Sequence, residues 1–481
     1  MLTAAVDVGS ARARAGIFSP EGRLLARTSR PFGMVVDSDG RPGYAFAEIW
    51  DAVATALPEA IALAGAAPGD VAALAFDATC SLFVDAPGFT PDVIAWHDHR
   101  ATAEAAELSA TGHPVARRAG GRVSPEMQTP KLMWLARHRP AAWAGLRAVR
   151  DLADQLAFAA TGIDARSANV AAAKWPWLPD AGGWAEDLLD HLGLAALPRA
   201  GAVLPVGARI GGVTPAAADR LGLTPGCVVA AGMVDAFAGA LGAAPDMPVI
   251  IAGTSTCLIA PDLAEMPGVW GPYPGAILPD QPISEGGLSA TGAALETIRQ
   301  MYRDQQRHSD ILARIGQSGD PGAGIHLLPD LKGNRTPFAD PALRGVIHGV
   351  ALDRSDPALD ALYWRMAVAV ALGTRQVARH MGIAADGDLA LAGGQARAPL
   401  MRQLYADALG ATIHWQPEDA VLRGTAIAAA AERLGGLRAA QAIFARPAQI
   451  TRPDPQARAR RDRDWRIFLR MQEQRAEIDS M

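Results

Sequence analysis

The stretch AAGMVDAFAGALGAA, residues 230–244, carries one charge, Asp235, where a strand-like run meets a helix-like run. A carboxylate there can cap the helix by accepting first-turn N–H groups. It can also take the proton of a bound hydroxyl. The small neighbours Gly232, Ala236 and Gly239 favour the second role, because they leave room for a ligand. Asp7 and Asp77 likewise end strand-like runs, and Asp7 stands just before a Gly9-Ser10 turn. A second Gly-hydroxyl turn occurs at Gly253-Thr254. Such turns present backbone N–H groups in a concavity suited to phosphate oxygens. Two of them could grip one polyphosphate from opposite sides, with Arg12 and Arg14 supplying positive charge behind the first. A carboxylate beside phosphate serves a divalent cation, so Asp7 is expected to hold Mg²⁺ through water. Asp77 is expected to be structural or to line a substrate.

Two further Gly-rich entries to helices stand out. In ISEGGLSATGAALE, residues 283–296, Glu285 could bind a hydroxyl and the Gly292 region a nucleotide. In LALAGGQARAPL, Gly393-Gly394 would let a flat base or a ribose approach the backbone. His97 and His99 in WHDHR would share a strand face but lack an evident third ligand, so a metal site there is not expected.

The elements that must position these groups alternate between strands and helices, which indicates an α/β fold. AAVDVGSARARAGIF is a strand, a Gly turn and a strand, and VIIAGTSTCLIA from Val249 repeats that design. We read this as a duplicated domain, with Gly242–Pro248 as the crossing point. A helix is expected from Ile49, interrupted at Pro58. The last 30 residues, dense in both charges, read as a solvated helix.

Composition limits the function classes. The chain has 481 residues, 50% hydrophobic and 20% charged, as in an ordinary globular enzyme. A formal net charge of -5 argues against a nucleic-acid partner. Cys80, Cys227 and Cys257 are widely spaced and odd in number, which fits a reducing compartment. Asp7 breaks the apolar run a signal peptide would need, and no run reaches the ~18 residues of a membrane span. The expected location is cytoplasmic, with no membrane partner.

Taken in order, DVGSARARAG, KLMWL, GMVDAFAGALG, AGTSTC, EGGLSATGA and LAGGQARAPL resemble the motifs of the FGGY carbohydrate kinases, from about Ala4 to Leu434. DATCSLFVD, WHDHRA, VSPEMQTPKLMWL, DLADQLAFAATG, KWPW, GVWGPYPGAI and GNRTPFADPALRG are similar to segments of its ribulokinase branch. The resemblance implies two actin-like ATPase domains of ribonuclease-H topology with a cleft between them. The first, 1–245, would bind sugar and the second, 246–435, ATP, with 436–481 as an extension. It implies ATP with Mg²⁺, a pentulose substrate, foremost D-ribulose, and a homodimer. Asp235 would be the catalytic base. Lys174, Glu285, Asp98 and Ala78 would bind sugar. Gly9, Ser10, Arg14, Gly253 and Thr254 would form the phosphate turns, and Thr291, Gly292, Gly393 and Gly394 the nucleotide site.

Two departures stand out. Arg12 occupies a position where the family often has a hydroxyl, and Ala398 one where it often has Asn or Ser. The alternatives weighed are a kinase for L-ribulose, xylulose or ribitol, a non-enzymatic actin-like ATP switch, and a nuclease using Asp7, Asp77 and Asp235 on two metals.

Overall fold

A computed structural model describes residues 1–199, 201–244, 246–302 and 306–481. Pro245, where the sequence reading ends the first domain, lies outside the described residues.

The chain opens as an antiparallel meander of β1 (Leu2–Val8), β2 (Arg12–Phe18) and β3 (Leu24–Pro31). Helix α1 (Phe46–Leu63) follows and runs through Pro58 instead of stopping there. Its Ile49, Val53, Leu57 and Ile61 are buried against the sheet, and that packing outweighs the one backbone bond a proline removes. Strands β4 (Val71–Ala78), β5 (Arg209–Gly212) and β6 (Val228–Val234) complete a six-stranded sheet in the order β5-β6-β4-β1-β2-β3. Between β4 and β5 lie α2 (Leu152–Thr161) and the short α3 (Ala168–Lys174), and α4 (Asp235–Ala243) leaves β6 directly.

The second half repeats the plan. Strands β7 (Val249–Ala252), β8 (Thr256–Pro261), β9 (Trp270–Tyr273) and β10 (Ile283–Leu288) form its meander. Then come α5 (Gly292–Met301), α6 (Asp356–His380), β11 (Asp388–Ala392), α7 (Pro399–Leu409), β12 (Thr412–Trp415), α8 (Ala420–Leu434), β13 (Gln449–Thr451) and α9 (Pro455–Asp479). The sheet order is β9-β10-β8-β7-β11-β12-β13. Stripped of edge strands, β3-β2-β1-β4-β6 and β10-β8-β7-β11-β12 are the same arrangement. In each, two successive antiparallel pairings lie on one side of the first strand and two parallel pairings on the other.

The two lobes meet along α4 and α8. Helix α8 packs on β1, β4 and β6 of the first sheet, while α4 reaches β7 and β11 of the second. The helix pair is close because Gly424 has no side chain: a Cβ there would lie 1.8 Å from the Ala238 carbonyl oxygen. The charged terminal helix is not merely solvated. Trp465, Phe468 and Met471 of α9 are buried in the second lobe, and Arg375 and Arg365 of α6 pair with Asp462 and Asp464 at 2.7 Å each.

Candidate functional site

A cleft of ≈ 560 Å³ opens between the lobes, within the range that holds small-molecule ligands. The turn after β1 lines it with Gly9 and Ser10, and the turn after β7 with Gly253 and Thr254. Gly393 and Gly394, after β11, form its far wall. Gly393 has φ +95°, and a Cβ there would lie 2.4 Å from the Ala252 carbonyl oxygen, so no other residue fits this turn. Thr291 and Gly292 are not on the wall. They sit beneath the second turn, where Thr291 N–H donates to Thr254 O at 2.9 Å and Gly292 N–H to Gly253 O at 3.1 Å. Gln395 Nε2 also holds that turn, donating to Gly253 O at 3.1 Å.

Asp235 faces the cleft as the first residue of α4. Its Oδ1 accepts the N–H of Ala236 at 2.7 Å, so part of its capping capacity is used. Burial, together with the charge of Asp7, pushes its carboxyl up to about 6, against that hydrogen bond and Arg14. A carboxylate tuned to that range is suited to accept a proton near neutral pH. Of its small neighbours only Ala236 lines the cleft. Gly232 is small for another reason: a Cβ there would lie 1.7 Å from the Phe76 carbonyl oxygen. Gly239 packs against Ile251 and Val421.

Asp7 and Asp77 are fully buried and stand side by side in the β1–β4 ladder. Asp7 is ion-paired with Arg14, whose other nitrogen donates to Asp419 at 2.9 Å. Arg14 is thus balanced by two carboxylates and ties β2 to the start of α8. Its phosphate role, expected from the sequence, would require exchanging one of them. Asp77 accepts from the Thr425 hydroxyl, and burial and then Asp7 push it well above the usual carboxylate range. Asp7 Oδ1 and Asp77 Oδ1 are buried without a hydrogen-bond partner. No cluster of three or more His, Cys, Asp or Glu side chains that could hold a metal occurs among the described residues. Neither carboxylate lines the cleft, so a hard cation on the phosphates would meet them through water and not bind them directly.

The opposite end of the cleft is polar and charged. Lys174, the last residue of α3, is buried and places its Nζ 3.9 Å from Glu285 Oε2 on β10. Burial works against the Lys174 charge, but Glu285 holds its pKa above the ordinary lysine value. Lys174 Nζ lies 4.2 Å from the Trp270 ring centroid. Arg335 joins them, 3.0 Å from Glu285 Oε1 and 4.5 Å from the same ring. The sequence marks Trp270 and Arg335 only through their place in GVWGPYPGAI and GNRTPFADPALRG. Asp98 does not reach the cleft wall; it is buried and chelated by Arg100 at 2.9 and 2.8 Å. Ala78, the last residue of β4, lies behind Thr79 and Cys80, which do line the cleft. His99 faces Glu126 at 3.4 Å instead of a metal partner set.

The model described as the FGGY family of carbohydrate kinases, N-terminal domain, matches residues 2–242. The corresponding C-terminal domain matches residues 249–432. A Homo sapiens FGGY carbohydrate kinase domain-containing protein is 32% identical, over 98% of this chain and 96% of its own. The Saccharomyces cerevisiae D-ribulokinase YDR109C is 30% identical, over 85% of this chain and 68% of its own. The fold is similar to that of ligand-bound xylulose kinase from Lactobacillus acidophilus, with TM-score 0.84, 17% identity and coverage of 99% and 98%.

Proposed function

The chain belongs to the FGGY family of carbohydrate kinases, and from that premise we propose that it transfers the γ-phosphoryl group of ATP to the terminal hydroxyl of a pentulose, D-ribulose to D-ribulose 5-phosphate. The observation that carries the reading is the position of Asp235. It lies in one cleft with both phosphate turns and the Lys174–Glu285–Arg335–Trp270 group. The likeness to a D-ribulokinase supports the choice of sugar.

Phosphoryl transfer needs in-line positioning and charge stabilisation, with little covalent chemistry from the protein. Gly9, Ser10, Gly253 and Thr254 hold the phosphate chain by backbone N–H and hydroxyl groups. Gly393 and Gly394 leave space for the nucleoside. Lys174, Glu285 and Arg335 hold the sugar hydroxyls by directional hydrogen bonds, and the Trp270 face covers the carbon chain. Asp235 orients the terminal O–H and takes its proton as the oxygen attacks phosphorus. Asp7 and Asp77 would hold Mg²⁺ through water, and the ion would supply charge neutralisation on the phosphates. Enclosure between the lobes keeps water from competing with the sugar.

ADP release measured over D-ribulose, L-ribulose, xylulose and ribitol tests the reading. D-Ribulose is expected to give the highest kcat/KM, and Asp235→Asn to lose turnover while still binding sugar and ATP. Equal rates with L-ribulose or ribitol would refute the sugar assignment. Full turnover by Asp235→Asn would refute the base.

A further inference from the structure

The end of β6 departs from its sheet just where it must aim Asp235. The β6–β4 register shifts between Ala230 and Met233. At this irregularity Gly232 presses on the Phe76 carbonyl oxygen. Two side chains of the β6-facing segment 167–169 then take up its backbone groups. Ser167 Oγ donates to Gly232 O at 2.6 Å. Asn169 Oδ1 accepts the N–H of Val234, the residue before Asp235, at 2.9 Å. The other end of the same amide reaches the second lobe, with Nδ2 donating to Ala276 O at 2.7 Å. Asn169 is fully buried, and both of its bonds are to backbone.

We infer that Asn169 is a positioning residue for the phosphoryl-transfer step: it fixes the Met233–Val234 peptide, from which the chain turns into Asp235, and makes that placement depend on contact between the lobes. The inference rests on the assignment of Asp235 as base. The chemistry of the site selects an amide. One partner is a donor and the other an acceptor, so a carboxylate would oppose the Ala276 oxygen and an aliphatic chain would leave both groups unpaired. Asn169 does not itself line the cleft and reaches its wall only through the backbone of Val234, whereas Lys174, five residues on in the same short helix, lines it directly. One helix thus carries a sugar-holding group at its end and the tie to the base at its start. A displacement of ~1 Å in a reacting group is enough to lower turnover by about a hundredfold without altering ground-state binding.

The test compares wild type with Asn169→Leu and Asn169→Ser, with Asp235→Asn as control. Each is assayed with ATP and the best sugar of the panel, with Tm recorded. The charged groups that face Asp235 are Asp7, Asp77 and Arg14 from the first lobe and Glu285 from the second, and none of them is altered. The expected result is a fall in kcat of ~10-fold or more, with sugar and ATP KM within ~2-fold of wild type. The acid limb of kcat/KM is expected to move to higher pH, because a loosened Met233–Val234 peptide lets the Asp235 backbone shift and weakens the Ala236 N–H bond that favours the ionised carboxylate. Unchanged kcat and an unmoved acid limb in a folded variant would overturn the inference. So would a loss carried by KM, or failure of both variants to fold, either of which would assign Asn169 a structural role only. Turnover by Asp235→Asn would instead remove the base itself, a separate failure.

Discussion

Lys174 and Glu285 come from different lobes and meet across the cleft, Nζ to Oε2, at 3.9 Å. The pair is longer than a tight salt bridge, while Arg335 stands closer to the same carboxylate, at 3.0 Å. Glu285 is therefore balanced without Lys174, and the ammonium keeps donor capacity for a ligand. Lys174→Met should leave the fold intact and raise the sugar KM by about tenfold, equivalent to about 1.4 kcal/mol, with ATP KM unchanged. Steady-state kinetics with each substrate varied in turn would check this. A change confined to ATP KM would place Lys174 on the wrong substrate.

Asp235 predicts a trade between stability and turnover. Its carboxyl is pushed up from 3.8 to about 6, so the folded state holds the proton more tightly than the unfolded chain does. Below pH ~4 both states are protonated and there is no penalty. The penalty grows between pH ~4 and 6 and is full above 6, where it reaches at most about 3 kcal/mol. Asp235→Asn removes it. The variant should melt higher than wild type at pH 7.5 and by the same margin at pH 8.5, with the difference shrinking toward pH 4. In the wild type the acid limb of kcat/KM should fall near pH 6. Scanning calorimetry across that range decides it, and an Asp235→Asn variant less stable at pH 7.5 would show capping to be the dominant role of this residue.

Much of this site can be read from the chain, for local reasons. A Gly turn flanked by strands is a short-range feature, so both Gly-hydroxyl turns and the duplicated meander are legible in AAVDVGSARARAGIF and VIIAGTSTCLIA. Asp235 was visible because a lone charge in an apolar run is conspicuous. What stayed hidden depends on contacts between distant segments. Arg14 reads as a phosphate ligand until Asp419, 405 residues away, is seen to occupy it. Asp98 reads as a sugar ligand until Arg100 closes around it. Gly232 and Gly239 read as space for a ligand, but their smallness serves backbone and helix packing. Arg335 and Trp270 sit in irregular loop or edge-strand sequence, where no periodicity points at the cleft.

Arg14 should matter to stability more than to nucleotide binding. Its guanidinium is shared by Asp7, which is wholly buried, and Asp419. Arg14→Met would leave Asp7 beside Asp77 with no cation, and removing one partner of a buried pair costs about 3 kcal/mol or more. Urea denaturation at pH 7.5 should show that loss. The loss should narrow as pH falls, because Asp7 then takes up a proton and no longer needs its partner. A variant of wild-type stability with a raised ATP KM would restore the phosphate role for Arg14.

The seam between α4 and α8 leads to the last prediction. Both helices follow the last parallel strand of the shared five-strand arrangement, β6 and β12, and Asp235 is the first residue of one of them. A Cβ on Gly424 would lie 1.8 Å from Ala238 O and 3.0 Å from Gly242 N, so the helices must separate to admit a methyl group. Overpacking at a close backbone contact costs about 3 kcal/mol. The separation would also move α4 against β6 and so displace Asp235. Gly424→Ala is expected to lower Tm and to lower kcat more than it raises either KM. Gly316→Ala provides the reference: Gly316 lies in the helix His308–Ser318 with nothing near its Cβ position, and alanine there should be neutral or stabilising by up to about 1 kcal/mol. If Gly424→Ala matched Gly316→Ala in both melting and turnover, the helix seam would not be what holds the base in register with the phosphate turns.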